Sequence, residues 1–125
     1  MAEILVVEDD PMVLAMLRDS LESAGHAVRE ASSGSAALAM LQEKLSDLVV
    51  TDIYMPDGDG LELITRMRCF TQTPVIAMSG GNSFDTDLRM LPVASVLGAC
   101  RILEKPFTHE TLIAAVAQAL QTPEV

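Results

Sequence analysis

Six polar residues of this 125-residue chain stand close behind short apolar runs, and their types suit the handling of a phosphoryl group. Glu8, Asp9 and Asp10 follow the run 4–7, Asp52 follows 48–51, Ser79 follows 75–78, and Lys105 follows Ile102 and Leu103. Carboxylates brought together from separate segments repel one another unless a cation lies among them. Hard oxygen donors with positions left for water or phosphate favour Mg²⁺ over a transition metal. A carboxylate can also act as a nucleophile and form an acyl phosphate. Phosphoryl transfer to it needs the negative charge on the transferring oxygens neutralised, and in-line positioning. Mg²⁺ would supply the first, with Lys105 as a second cation and Ser79 as a hydroxyl donor. The chain has only two lysines, Lys44 and Lys105, so one at this spot is informative. Gly80 and Gly81 would let the backbone after Ser79 approach a phosphoryl group closely.

These residues meet only if the apolar runs are neighbouring strands, and the pattern between the runs supports that. Asp10 and Pro11 suit the cap and first turn of a helix carrying Val13, Leu14, Leu17 and Leu21, which Gly25 can close. Residues 27–31 form a weaker second strand, and a Ser/Gly opening at 33–35 leads into an alanine-rich helix through about Glu43. The run 48–51 delivers Asp52, then a turn through Met55, Pro56, Asp57 and Gly58 precedes a helix using Leu61, Ile64 and Met67. Pro74 precedes the fourth strand. In 82–99, Pro92 interrupts a helical pattern containing Leu88 and Leu91, so a helix there is kinked or starts near the proline. Ile102 and Leu103 mark a short fifth strand, and Thr108 caps a last helix carrying Leu112, Ile113, Val116 and Leu120. Five strands alternating with five helices argue for an α/β fold, a doubly wound parallel sheet covered on both faces, with its site beyond the carboxyl ends of the strands.

Composition narrows the partners. Eighteen acidic residues against eight basic ones give a net charge of −10, which repels nucleic acid and anionic membranes and attracts a metal cation or a basic protein patch. Half the residues are apolar, the balance of a globular domain, and one domain over 1–125 is expected. No apolar run approaches the roughly 18 to 20 residues of a membrane span, and no basic segment leads into a signal-peptide core. A cytoplasmic location is the expectation. Cys69 and Cys100 lack CxxC spacing and read as buried or reduced thiols rather than a bridge or zinc site.

Four stretches taken together, ILVVEDDP at 4–11, DIYMPDGDG at 52–60, VIAMSGG at 75–81 and EKPF at 104–107, resemble the receiver domain of two-component response regulators. The resemblance covers essentially the whole chain. It implies a five-stranded parallel sheet of order 2-1-3-4-5 in a flavodoxin-like, three-layer α/β/α arrangement. It implies that a histidine kinase or histidine phosphotransfer protein passes a phosphoryl group to Asp52. By the same resemblance Glu8 and Asp9 match the acidic pair, Asp9 and Asp52 ligate Mg²⁺, and Tyr54 adds its backbone carbonyl to the metal. Ser79 matches the switch hydroxyl and Lys105 the lysine before a proline. Two departures stand out. Ile102 takes the position where the family often has Tyr or Phe, and the stretch from Ser79 to Lys105 is longer than in the commonest receivers.

A switch of this kind acts on itself and is not a turnover enzyme; its signal leaves through a downstream protein that the sequence does not name. The alternatives are a Mg²⁺-dependent aspartate-nucleophile phosphatase or phosphotransferase, and an interaction module cut from a longer regulator. Against the first, Tyr54 breaks a DxD pair that would begin at Asp52, and no cap domain is visible. Plainer readings apply elsewhere. Asp10 is a helix cap, and Asp57 and Asp59 fail the remaining calcium-loop positions. Gly58 and Gly60 lack the further glycine of a dinucleotide fingerprint. His26 and His109 have no companions and read as surface residues, the eight methionines as mostly core filler, and 121–125 as a frayed end.

Overall fold

The computed structural model describes residues 2–53, 60–79 and 101–121, apart from the side chains of Leu61 and Ser79. Its elements in chain order are β1 (Glu3–Val7), α1 (Pro11–Ser23), β2 (Ala27–Ala31), α2 (Gly34–Glu43), β3 (Leu48–Asp52), α3 (Gly60–Met67), β4 (Val75–Ser79), β5 (Arg101–Glu104) and α4 (His109–Gln121). The strands form one parallel sheet in the order β2-β1-β3-β4-β5, as the sequence resemblance implied. The turn from Met55 to Gly58, Tyr54, Asp57, Asp59, the Gly80-Gly81 pair, the helical pattern of 82–99 with Pro92, Cys100 and the last four residues lie outside the described residues.

Alternation along the strands explains the layering. Ile4, Val6, Leu48, Val50, Ile76 and Met78 point to one face, where Leu17 and Leu21 of α1 and Leu112 and Val116 of α4 cover them. Leu5, Val7, Val49 and Val75 point to the other, against Leu41 of α2 and Leu63, Ile64 and Met67 of α3. The central strands are therefore apolar on both faces, which accounts for their near-continuous Val, Ile and Leu runs. Each such side chain, fully removed from water, contributes roughly 1.5 to 3 kcal/mol before chain entropy is counted.

The helix starts lie where the cap residues place them. Asp10 accepts a hydrogen bond from the Met12 amide at 2.9 Å, with Pro11 opening α1. Ser33 accepts from the Ala36 amide at 3.1 Å, and Thr108 Oγ1 from the Thr111 amide at 3.0 Å. Gly25 closes α1 with φ at 95°, a left-handed value that glycine adopts without a Cβ penalty. Two expectations are modified, those for His26 and for the methionines, whereas Cys69 is a free thiol, one of the two states expected. His26 is half-buried, its Nδ1 accepting from the Ala2 amide at 3.2 Å, because the turn after α1 folds it against the start of β1. Cys69 is exposed, in the turns after α3. Met67 and Met78 are core, but Met12 and Met16, one helical turn apart, lie on the outer side of α1.

Candidate functional site

The chain leaves β1 in one direction to form β2 and returns on the other side of β1 to form β3, so the sheet's order reverses between β1 and β3. At such a point the crossovers diverge and leave a crevice beyond the strand ends. The register pairs Val7 with Thr51, so the next positions on the two strands are Glu8 and Asp52. Both carboxylates thus emerge from adjacent strands on the same side of the pleat, the side of Val6 and Val50. Asp9 follows at once, before Asp10 starts α1.

One carboxylate oxygen from each of Glu8, Asp9 and Asp52 can lie within 4.8 Å of the others. Glu8 is 2% exposed and Asp52 7%, whereas Asp9 is open to solvent. Lys105, just past β5, reaches this cluster. Its Nζ donates to Asp52 Oδ2 at 2.7 Å and to Glu8 Oε1 at 3.2 Å. The other Glu8 oxygen, Oε2, accepts from the Asp10 amide at 3.2 Å. Three carboxylates and one ammonium leave a net charge of −2 in a half-enclosed crevice. That charge, an all-oxygen donor set and an exposed member on the solvent side fit a hard divalent cation.

The electrostatics reflect this crowding. Burial raises the Glu8 carboxyl above its usual range, and the Asp52 charge adds to the rise; the Asp10 amide and Lys105 oppose it without cancelling it. Burial pulls the Lys105 ammonium downward, but its hydrogen bond and attraction to Asp52, together with Glu8, outweigh burial and raise it. Lys105 therefore stays charged at neutral pH.

The structure brings together Glu8, Asp9, Asp52 and Lys105, four of the residues singled out in the sequence. Ser79 ends β4 opposite Glu104, at the same edge of the sheet, and its side chain is outside the described atoms, as is the whole of Tyr54. Ile102 lies on β5 and lines an open cleft of about 490 Å³ with Glu104, Pro106, Phe107 and Thr111.

Two residues around Asp52 escaped sequence reasoning. Thr51 is fully buried and its hydroxyl donates to the Asp52 main-chain carbonyl at 3.0 Å. Gly60, the first residue of α3, packs on the same peptide: a Cβ there would collide with the Asp52 carbonyl oxygen and lie 3.1 Å from Ile53 Cα. The available signals were a lone hydroxyl in the run LVVT and a glycine at the mouth of a helix.

Comparison with known proteins gives consistent matches. The family model described as the response regulator receiver domain matches residues 4–117. The chain is 35% identical to the DNA-binding transcriptional regulator NtrC of Bradyrhizobium sp. (strain RP501 Parasponia) over 97% of its own length and 25% of NtrC. It is 33% identical to the KDP operon transcriptional regulatory protein KdpE of Escherichia coli (strain K12), over 97% of its length and 52% of KdpE. The chain thus spans a quarter to a half of these curated relatives. Among solved structures, the receiver domain of NtrX from Brucella abortus superimposes with a TM-score of 0.85 at 31% identity, covering 96% of this chain and 99% of that one.

Proposed function

The chain belongs to the response regulator receiver domains, signalling switches that take phosphate from histidine kinases, and on that footing we propose that Asp52 is its phosphoacceptor in a Mg²⁺-dependent phosphorelay. The observation that carries the reading is the Lys105 ammonium bonded to Asp52 and Glu8 at the reversal point of the sheet. A lysine held there places positive charge directly beside the Asp52 carboxylate, where a transferred phosphoryl group would need it.

In this reading an Asp52 carboxylate oxygen attacks the phosphorus of a phosphohistidine. The new O–P bond forms as the P–N bond breaks, the electron pair stays on the imidazole nitrogen, and that nitrogen takes up a proton. Lys105 follows the charge from the carboxylate to the phosphoryl oxygens. Asp9, Asp52 and the Tyr54 carbonyl would hold Mg²⁺ beside Glu8, and the bound ion would neutralise the phosphoryl oxygens and orient them for in-line attack. Glu8 supplies negative charge beneath that position and holds Lys105 in line. Ser79, at the end of β4, donates its hydroxyl to the phosphoryl group once it is in place.

The donor is a histidine kinase or histidine phosphotransfer protein, and the output goes to a downstream protein rather than to nucleic acid or membrane through this domain. Residues 1–125 act as a single receiver unit. The activity is a switch, limited to self-phosphotransfer and autodephosphorylation, and its compartment is the cytoplasm. Added charge at Asp52 draws Ser79 inward and shifts the surface around β5 and α4. With Ile102 in place of an aromatic ring, that shift runs through aliphatic packing at the cleft. The test is transfer from a radiolabelled phosphohistidine donor. Label should move to the chain with Mg²⁺, be released by hydroxylamine as an acyl phosphate, and fail to move with chelator; label that stays on the donor throughout contradicts the reading.

A further inference from the structure

We infer that Thr51 is a positioning residue for Asp52, its hydroxyl fixing the peptide from which the carboxylate is presented; the inference rests on the phosphoacceptor reading above. Thr51 shares its strand face with Val49, which packs against α2 and α3, and it is 0% exposed. In that apolar layer valine fills almost the same volume without a hydroxyl to desolvate, so packing alone favours valine. The hydroxyl present is spent on one acceptor, the Asp52 carbonyl oxygen at 3.0 Å.

That carbonyl belongs to a peptide held on its other sides as well. The Ile53 amide donates to the Met78 carbonyl at 2.9 Å, tying the peptide to β4. The Gly60 amide donates to the carbonyl of the next peptide, that of Ile53, at 2.8 Å, and the lack of a Cβ at Gly60 leaves room for the Asp52 carbonyl. Rotation of this peptide turns the Asp52 Cα, and the carboxylate swings with it. The carboxylate must meet Lys105 at 2.7 Å and keep an oxygen within 4.8 Å of Glu8 and Asp9, so a small swing degrades both contacts. Thr51 lies on the strand face opposite the Asp52 side chain, so its effect on the site runs through the Asp52 main chain. This is the way a supporting hydrogen bond tunes a ligand it does not replace.

Two substitutions separate this role from ordinary satisfaction of a buried hydroxyl. Thr51→Val keeps the shape and removes the donor; Thr51→Ser keeps the donor and removes a buried methyl. Each is compared with the unaltered chain for Mg²⁺ affinity by calorimetry, for the rate of phosphoryl uptake from acetyl phosphate, and for its urea midpoint. The expected result is a crossover. The valine variant matches or exceeds the original urea midpoint but binds Mg²⁺ about tenfold more weakly and takes up phosphate about tenfold more slowly. The serine variant unfolds at lower urea yet stays within about twofold of the original in both functional measures. A valine variant equal to the original in both measures overturns the inference, as does a loss that tracks urea midpoint in both variants. If the unaltered chain takes up no phosphate and binds no beryllofluoride while the Mg²⁺ ratios follow the crossover, the phosphoacceptor reading fails and the positioning of the Asp52 carboxylate stands. An unaltered chain that binds no Mg²⁺ defeats both.

Discussion

Lys105 Nζ stands 2.7 Å from Asp52 Oδ2 and 3.2 Å from Glu8 Oε1, so a single ammonium spans carboxylates from two neighbouring strands. It offsets one of three negative charges and competes with any cation for the same oxygens. Replacing it with methionine keeps most of the stem and removes the charge. In chelator, Lys105→Met is expected to lose about 1 to 3 kcal/mol of stability, because Glu8 and Asp52 are left crowded and uncompensated. Mg²⁺ should bind more tightly by about 1 to 2 kcal/mol, roughly 5- to 30-fold, while phosphoryl uptake falls. Urea unfolding, calorimetry and uptake from acetyl phosphate measure the three effects, and weaker Mg²⁺ binding would contradict the charge account.

Asp9 differs from its companions in being exposed, with no part in the core. Asp9→Asn should therefore change unfolding stability by no more than about 0.5 kcal/mol. Its effect should appear as Mg²⁺ affinity lowered by about tenfold, read by calorimetry. Equal affinity in the variant and the original would remove Asp9 from the ion site.

Glu8 gives the pH dependence. Burial, reinforced by the Asp52 charge, raises its carboxyl in the folded protein above the 4.5 of a free side chain. The unfolded chain thus ionises Glu8 more readily than the folded one. Its contribution to stability is most favourable below pH 4.5 and is lost as pH rises through the folded-state value. In chelator, Glu8→Gln should be more stable than the original at pH 7, and the difference should close as pH falls toward 4.5. Thermal melts of both proteins across that range check it; a gap that widens on acidification has the opposite sign.

Gly60 sits where a side chain has no room. Alanine is the better helix former by about 1 kcal/mol, but its Cβ would drive into the Asp52 carbonyl. Gly60→Ala should therefore be net destabilising by about 1 to 3 kcal/mol, the range of an overpacked site. At Gly25 a Cβ meets nothing within 4 Å, and the expected loss comes from the 95° φ alone, about 1 kcal/mol. Urea unfolding of the two variants compares steric collision with backbone strain.

The fold was legible because its signals are local. Asp10-Pro11, Ser33 and Thr108 mark helix starts by side chains that bond the next turn, and the runs at β1, β3 and β4 are short, apolar and mostly rich in β-branched residues, the pattern of strands covered on both sides. Strand bounds moved by a residue at Glu3, Asp52 and Ser79, because hydrogen bonding continues into polar residues that an apolar run does not include. The meeting of Glu8, Asp9, Asp52 and Lys105 was legible through topology: strand ends that follow one another around a reversal point share a crevice. Thr51 and Gly60 were not, since nothing in a sequence says which carbonyl a buried hydroxyl faces or which peptide a helix start presses on. His26 was misplaced for a related reason, its half-burial depending on how the turn after α1 meets the start of β1.

The most direct test is the intact mass of the chain after incubation with Mg²⁺ and acetyl phosphate, beside an Asp52→Asn variant treated identically. The account predicts a single added phosphoryl group on the original, absent from the variant and absent when the metal is chelated. An adduct that survives Asp52→Asn, or an original that takes up no phosphoryl group and does not bind beryllofluoride with Mg²⁺ present, would contradict it.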